Sequence, residues 1–562
     1  MKIISSVYKY LSSKEKKQFN LLSIYISIYL ILELCSLSLF IPIIQLFFSN
    51  SQNEFLNQIH FLNNYDFQTQ LLFLLSALIT IYLIKNSINA YLIFYKKRLL
   101  ADMQINFSSR VFNYYLNQNY SFFLKTDKPE IIRNIGLLPG FIEILENFIN
   151  VVIEVFIIII VFSIIFYTDY KIGVVLALTS VVFSYLIIRL FGKKMKRYGE
   201  EINIYQKRYV ESQLDSFGII KEIILSKKQN FFLKDFKNTI FKRSRAIIKH
   251  GFLLEIPRQM IEVLIIIGIS ILILALLKFD YQRDEMIVTL SITAALIFRA
   301  IPSVTRIIYQ TNNLSFKIDM IKRVQNLLSN FHYGDIQTNI DNFEFEKLEL
   351  KDLSYEYKDN SLIFKNFNLK LDKNKTIGLI GKSGSGKSTL LDLMSCLIEP
   401  KKGEIFINNQ LLDNKLKNNY QNIISYISQK NYLLNGTIED NIAFAVDKND
   451  IDLKKIENAI KLSNLESLIN SYNEGIKYQI GEDGKNLSGG QRQRLIIARA
   501  IYKETQLIFF DESTSALDEA TEKKIFEDIH SKLHHKKTLV ISSHNKNLLS
   551  FCDQIINVEN LK

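Results

Sequence analysis

Cysteine is scarce in this chain: Cys35, Cys396 and Cys552 are the three among 562 residues. They lie far apart, with no CxxC pair and no metal-ligand spacing. This argues against a disulfide framework and against a zinc site, and it leaves reduced, buried thiols as the expectation. Lysine and arginine are missing altogether from Ser49–Gln70. A small-residue cleavage site is missing after the basic start MKIISSVYKYLSSKEKKQF, and the apolar run behind it is too long for a signal peptide, so that run reads as a retained first membrane span. Too few residues precede it for an N-terminal leader peptidase.

Apolar chain is what the sequence has in plenty. It makes up 48% of the residues, and its long runs fall before about residue 310. Six stretches approach the roughly 20 apolar residues a membrane helix needs: Leu21–Phe48, Leu71–Tyr95, Phe148–Tyr167, Ile172–Phe191, Met260–Leu277 and Met286–Tyr309. The third contains VFIIIIVFSIIFY, whose β-branched residues favour a strand by propensity; its length and lack of turn signals overrule that.

The net charge of +13 suits a nucleic-acid binder until its placement is read. Lys2, Lys9, Lys14, Lys16 and Lys17 precede the first span, Lys96, Lys97 and Arg98 follow the second, and Lys193, Lys194, Lys196 and Arg197 follow the fourth. Basic residues gather on the cytoplasmic side of membrane helices, so both chain ends and both long loops are expected there. The excess charge is then a topology signal, and no nucleic-acid partner is expected. The segments 96–147 and 193–258 are too long for turns. They read as membrane helices continuing as amphipathic rods, each pair reversing through a short helix.

From about Gly334 the composition changes. FEFEKLELKDLSYEYK alternates like antiparallel strands, KTIGLIG reads as a buried strand, and a mainly helical insert is expected near 430–485. The expected fold is therefore multidomain. An all-α six-helix transmembrane domain covers residues 1–335, and an α/β P-loop nucleotide-binding domain covers residues 336–562.

Gly381–Thr389 completes G-x-x-x-x-G-K-[ST]. Glycine lets the backbone curl so that successive N–H groups point at phosphate oxygens, and the following helix adds its positive end. Gly381, Ser383, Gly384, Ser385, Gly386, Lys387, Ser388 and Thr389 form this cradle, with Lys387 reaching the β- and γ-phosphates of ATP and Ser388 ligating Mg²⁺. LIFFDES ends an apolar strand in Asp511, a Mg²⁺ ligand, and Glu512, a base for the attacking water. Gln429 follows a short strand, where it reaches Mg²⁺ and the surface, and His544 follows the last strand, where it touches the γ-phosphate. NLSGGQRQR starts a helix with Ser488, Gly489, Gly490 and Gln491, a second anion site. One chain cannot use two γ-phosphate sites for one nucleotide, so a head-to-tail homodimer sharing ATP is expected.

This set resembles the nucleotide-binding domain of ABC transporters over about residues 345–558. The resemblance implies Walker A at Gly381–Thr389, a Q-loop at Gln429, a signature at Leu487–Gln491, Walker B at Leu507–Asp511 and catalytic Glu512. It implies a D-loop at Ser515–Asp518, with Asp518 near nucleotide, a switch His544, and an A-loop aromatic at Tyr357 stacking on adenine, for which Tyr355 competes. DEST in place of DEAT and Asn545 after the histidine depart from the pattern without removing a catalytic group. With the spans, the whole resembles an exporter-type half-transporter.

Lys85, Arg258, Arg299 and Arg306 fall where apolar residues are expected. Charge at membrane depth usually faces a wet cavity, which points to an anionic cargo; pairing of Lys85 and Arg258 with Glu33, Glu154 or Glu262, or a place near the interface, is the alternative. LELCSLSLFIPII, the basic residue before NAY, IPR, and R-x-x-P-S-x-x-R also resemble PglK-type flippases, with Lys85 in place of an expected arginine. That resemblance implies a lipid-linked oligosaccharide, a polyprenyl-pyrophosphate glycan, as cargo at a bacterial inner membrane. A lipid A-like lipid, a drug or a peptide are the rival cargoes.

Overall fold

The computed structural model describes residues 8, 11–48, 65–278, 283–316, 320, 323, 324, 326, 327, 343–356, 362–429, 432–512, 517–543 and 545–561. Backbone contacts divide the chain into two units, residues 1–117 with 128–333 and residues 118–127 with 334–562.

The first unit is helical. The first expected span is two helices, α1 Ser13–Ser38 and α2 Phe40–Phe48, interrupted at Leu39. Pro42 accounts for the break: it has no N–H to give the Ser38 carbonyl four residues back, and its ring crowds that carbonyl. A capping box fixes the start of α1, with Ser12 N–H donating to Glu15 Oε2 at 2.6 Å and Glu15 N–H donating to Ser12 Oγ at 3.3 Å.

Beyond them run α3 Phe67–Leu116, then the short α4 Tyr120–Lys125, which belongs to the second unit, and the short α5 Lys128–Gly136. The long α6 Leu138–Thr168 turns sharply into α7 Tyr170–Gly218, where Asp169 accepts from the N–H groups of Lys171 and Ile172 at 2.9 and 3.3 Å. A seven-residue helix, α8 Ile220–Ser226, then reverses the chain into α9 Gln229–Lys278, and α10 Arg283–Phe316 closes the unit. The rods and short reversing helices expected after spans two and four are thus present.

The β-branched third span is helical because its apolar residues recur at helical spacing. Phe141, Leu145, Ile149, Ile153, Ile157, Val161 and Ile165 are buried along one side of α6, while Phe156 and Ile159 face outward. A backbone crossing lipid must satisfy its own hydrogen bonds, which a lone strand cannot do.

Two expectations need correction. Among the described residues, five helices are long and apolar enough to cross a membrane: Ser13–Phe48, Phe67–Leu116, Glu130–Thr168, Gln229–Lys278 and Glu285–Thr311. The expected fourth span, Ile172–Phe191, lies on α7, where the described apolar stretch is the shorter Tyr170–Thr179. Of the three free cysteines, Cys396 is buried and Cys552 half-buried, but Cys35 is exposed on the outer side of α1, where an apolar thiol faces lipid at no cost.

The second unit holds two sheets. Strands β1 Lys347–Glu356, β2 Leu362–Asp372, β4 Lys402–Ile407 and β5 Gln410–Leu411 form an antiparallel sheet in the order β2-β1-β4-β5. β3 Thr376–Ile380, β6 Ile424–Ile427, β7 Leu507–Asp511, β8 Thr538–Ser542 and β9 Gln554–Asn557 form a parallel sheet in the order β6-β7-β8-β3-β9. β7 and β8 are buried at every residue, which is why LIFFD and TLVIS read as continuous apolar runs. The insert is helical as expected, with α13 Ile438–Ile442, α14 Leu453–Leu462 and α15 Glu466–Asn470. α14 packs on α16 Gly489–Tyr502 around buried Ile456, Ala459, Leu495 and Ile497.

Candidate nucleotide site and membrane charge cluster

Ligands of open parallel sheets bind beyond the carboxyl ends of the strands. In the second unit those ends converge: β3 runs into Gly381, β7 into Glu512, β8 into Ser543, and β6 into Gln429 after Ser428. The backbone of the loop after β3 requires glycine. Gly386 has φ 103° and Gly384 φ 77°, and a Cβ on Gly386 would stand 2.8 Å from Ile363 Cγ2 and 2.9 Å from Phe364 Cζ. From Gly386 the chain enters α11 Lys387–Met394, so the loop and the helix start share one concave turn. Within it, Ser385 Oγ is buried without a hydrogen-bond partner among the described residues, an orphaned donor of the kind a phosphate oxygen satisfies.

The charged side chains form a connected set. Lys387, buried in the cradle, reaches the Gly381 carbonyl at 2.9 Å, the Lys382 carbonyl at 3.3 Å and Glu512 Oε1 at 3.1 Å. Gln429 Nε2 donates to Glu512 Oε2 at 3.1 Å. Glu512 itself sits at φ 45°, uncommon for a residue with a side chain. Its N–H donates to the Ser542 carbonyl at 3.2 Å, so the turn is held from both backbone and side chain.

The Ser388 hydroxyl donates to Asp511 Oδ1 at 2.8 Å. A hydroxyl and a carboxylate, with an amide nearby on Gln429, are hard oxygen donors that suit Mg²⁺. Burial pushes the Asp511 carboxyl above its ordinary range, opposed by hydrogen bonds from Ser388 and Tyr426.

Sequence reasoning missed two members of this set. Tyr426 Oη lies 3.3 Å from Asp511 Oδ2 and 3.1 Å from Asp392 Oδ1, bridging β7 and α11 from β6. Burial, with help from the nearby Asp511 charge and against the Tyr426 hydrogen bond, pushes Asp392 up to about 6. The available signal was positional: Tyr426 lies three residues before Gln429, and Asp392 one helical turn after Ser388.

The other expected residues are distributed as follows. Ser383 is exposed on the loop, and Thr389 is buried at the start of α11. Ser488 caps α16: its Oγ accepts from Gln491 N–H at 3.3 Å while its N–H donates to Gln491 Oε1 at 2.8 Å, with Gly489 and Gly490 as the first helical residues. Asp518 caps α17 Glu519–Leu533 by accepting from Thr521 N–H at 2.9 Å, which holds its carboxyl below the usual range. Tyr357 and His544 lie outside the described residues.

A family model described as ABC transporter matches residues 364–515. Over those residues the chain is similar to ABC transporters, and a helical domain with segments of membrane length precedes them. Among curated relatives, the chain is 32% identical over 45% of its length to a lacticin-481/lactococcin-DR transport/processing ATP-binding protein of Lactococcus lactis, covering 36% of that protein. It is 29% identical over 81% of its length to an ATP-dependent lipid A-core flippase of Wigglesworthia glossinidia brevipalpis, covering 78% of that protein. The chain spans about a third to two fifths of the length of the first curated relatives it matches. A solved bacterial Atm1-family ABC exporter with ATP bound superposes with a TM-score of 0.77 at 15% identity, over 97% of this chain and 94% of that one. At that identity the likeness concerns the fold alone, a helical domain followed by an α/β nucleotide-binding-type domain.

The helical unit gathers three of the four intramembrane cations expected from sequence. Glu33 on α1, fully buried, meets Lys85 of α3 through Oε2 at 3.1 Å and Arg299 of α10 through Oε1 at 2.5 Å. Arg306, two turns after Arg299, meets the buried Glu154 of α6 at 2.7 Å. The carboxylate partners named as the alternative for Lys85 are therefore present, and they serve the arginines as well. Arg258 lies on α9, and its side chain is outside those described.

Proposed function

We propose that the chain, as a homodimer in a bacterial inner membrane, uses ATP hydrolysis in two shared sites to carry an anionic lipid from one leaflet to the other. One observation carries this reading: Ser388, Asp511, Glu512, Gln429 and Lys387 converge at one sheet edge. That machinery is covalently continuous with helices of membrane length.

In the proposed step Lys387 leaves Glu512 for the β- and γ-phosphates. Glu512 then orients water in line with the γ-phosphorus and takes its proton as the P–O bond to ADP breaks, giving ADP and inorganic phosphate. Gln429, already on the Glu512 carboxylate, keeps it aimed. Mg²⁺, held by Ser388 and Asp511, supplies neutralisation of the phosphate charge. Ser488, Gly489 and Gly490 of a second copy close over the γ-phosphate, and His544 and Tyr357 take the switch and adenine-stacking roles.

The cargo is proposed to carry phosphate on its head group, because Arg299 and Arg306 share one face of α10 and are the only charges in its stretch Met286–Tyr309. A polyprenyl-pyrophosphate glycan fits, and a lipid A-like lipid fits about equally given the flippase relative. Reconstitution in liposomes with both lipid classes tests this. ATP-dependent inversion of one class, lost in Glu512→Gln, is expected; intact ATPase activity with neither lipid inverted overturns it.

A further inference from the structure

The membrane cluster is unevenly satisfied. Lys85 has three partners: it forms an ion pair with Glu33 Oε2 at 3.1 Å without a hydrogen bond to that oxygen, donates to Ser36 Oγ at 3.3 Å, and stands 3.7 Å from the centroid of the Tyr82 ring. Its side chain is 6% accessible and that of Glu33 0%, so both are sealed into the packing of α1 and α3. Arg299 differs. Its Nε meets Glu33 and its Nη1 donates to Ser303 Oγ at 3.2 Å, while the outer edge of the guanidinium has no partner among the described residues and the side chain is 22% accessible. Arg306 stands about 10 Å further along the same face of α10, with its side chain 59% accessible.

Within this cluster of described residues three cations face two carboxylates, one positive charge in excess, with Arg306 at its accessible edge. A buried pair that loses one partner is strongly destabilised, because the remaining charge has no water to fall back on. Glu33 is the pivotal group, since one carboxylate answers two cations.

We propose that Glu33 is a built-in counterion, standing in for a phosphate group at Arg299: it fixes Lys85 and Arg299 while no such group is bound and competes with it for Arg299 when one arrives. This rests on the anionic-cargo reading. It adds that affinity for the anion is held down from inside by Glu33, so that the site can release what it binds. The chemistry is that of a phosphate monoester or pyrophosphate, on an amphiphile or free in water.

The test uses the full-length protein in neutral detergent, with thermal unfolding and equilibrium binding as readouts. Dodecyl phosphate, inorganic pyrophosphate and dodecyl phosphocholine are the probes. In wild type, dodecyl phosphate should bind weakly and raise Tm slightly. In Glu33→Gln, the probe-free Tm should fall, dodecyl phosphate should bind about tenfold more tightly, and Tm should recover with it, because the ligand now replaces a missing charge. Adding Arg299→Gln should remove the gain. Glu33→Asp, with a shorter reach, should fall between wild type and Glu33→Gln and serves if the Gln variant does not fold.

A Glu33→Gln protein that loses stability and regains no more from dodecyl phosphate than from dodecyl phosphocholine makes Glu33 a structural pair, and the proposal is wrong. If wild type responds to dodecyl phosphate and the variant responds equally or less, the counterion fails while the anionic-cargo reading stands. If neither protein distinguishes the two amphiphiles, the anionic-cargo reading fails first. An equal gain with inorganic pyrophosphate supports the proposal and assigns the site to the free anion.

Discussion

Both units set a glutamate against a basic side chain, Glu512 against Lys387 at 3.1 Å and Glu33 against Lys85 at 3.1 Å, yet the two pairs do different work. Glu512 lies at a strand end, is partly accessible and is shared with Gln429, a side chain that is itself exposed. It can exchange partners without leaving a charge stranded. Glu33 has no access to solvent and holds two helices to its own. The carboxylate proposed to act on water lies where water comes, and the one that holds helices together lies where it does not.

The largest expected effect breaks the chemistry without touching the fold. Glu512→Gln should lower ATP turnover by about 10²–10⁴-fold, the usual loss when a general base is removed. Nucleotide binding and Tm should stay near wild type, since the amide still reaches Gln429. Turnover at the wild-type rate, measured by phosphate release, would remove Glu512 from the mechanism.

Glu33→Ala should do the reverse. Breaking a buried pair typically costs about 3–5 kcal/mol, and here two cations lose their partner at once. A large drop in Tm is expected, with nucleotide binding retained in whatever protein remains folded. Arg306→Gln should cost less, because it strands one buried carboxylate, Glu154, where Glu33→Ala strands two cations. A smaller stability loss in Glu33→Ala than in Arg306→Gln would erase the contrast between the two regions.

The same contrast explains what was legible in sequence. The nucleotide site is written in short motifs, because each strand end must present a fixed residue type to one small ligand; Gly386, Lys387, Ser388, Asp511 and Glu512 could be assigned by pattern and stand together. Tyr426 and Asp392 were not read, since their partner is a side chain, and the spacing that puts them beside Gln429 and Ser388 does not by itself say what they touch. The membrane pairs are the extreme case. Arg299 and Glu33 are 266 residues apart, and α10 meets α1 only through tertiary packing. Sequence could mark the charges as costly at that depth, but not choose among Glu33, Glu154 and Glu262. The break in the first span was written in Pro42, and the thiol at Cys35 faces outward because in a membrane helix the outer side is also apolar.

A smaller effect sharpens the comparison inside the nucleotide site. Tyr426→Phe removes the hydroxyl between Asp392 and Asp511 and leaves the ring. A hydrogen bond to a charged group contributes about 1.5–3 kcal/mol, so turnover should fall by about tenfold or more but by less than in Glu512→Gln. The loss should appear chiefly as a higher Mg²⁺ requirement, measured by titrating the metal against fluorescent-nucleotide binding as well as ATPase rate. An unchanged Mg²⁺ dependence would leave Tyr426 as a packing residue.

The smallest effect concerns pH, far from either site. His530 stacks on His534 with ring centroids 4.1 Å apart, and His534 lies 3.7 Å from His535. His534 Nε2 faces Asp553 Oδ1 at 3.4 Å, the carboxylate set against this group, and His530 also abuts the Phe551 ring. Burial, then the neighbouring His534, holds His530 below its ordinary value, with Asp553 and the Phe551 backbone opposing. A histidine depressed in the folded state takes its proton more readily when unfolded. Stability is therefore retained above the unfolded pKa of about 6.5 and lost as pH falls below it. Asp553 works in a separate window. Its carboxyl is lowered, because bonds from Thr376 N–H and His534 outweigh the raising effect of burial, and its contribution is lost only as pH falls below about 4. Between those limits the slope belongs to His530. Thermal unfolding of the full chain should give a lower Tm at pH 5.5 than at pH 7.5, and His530→Gln should flatten that difference. An equal fall in the variant would show that the acid sensitivity arises elsewhere.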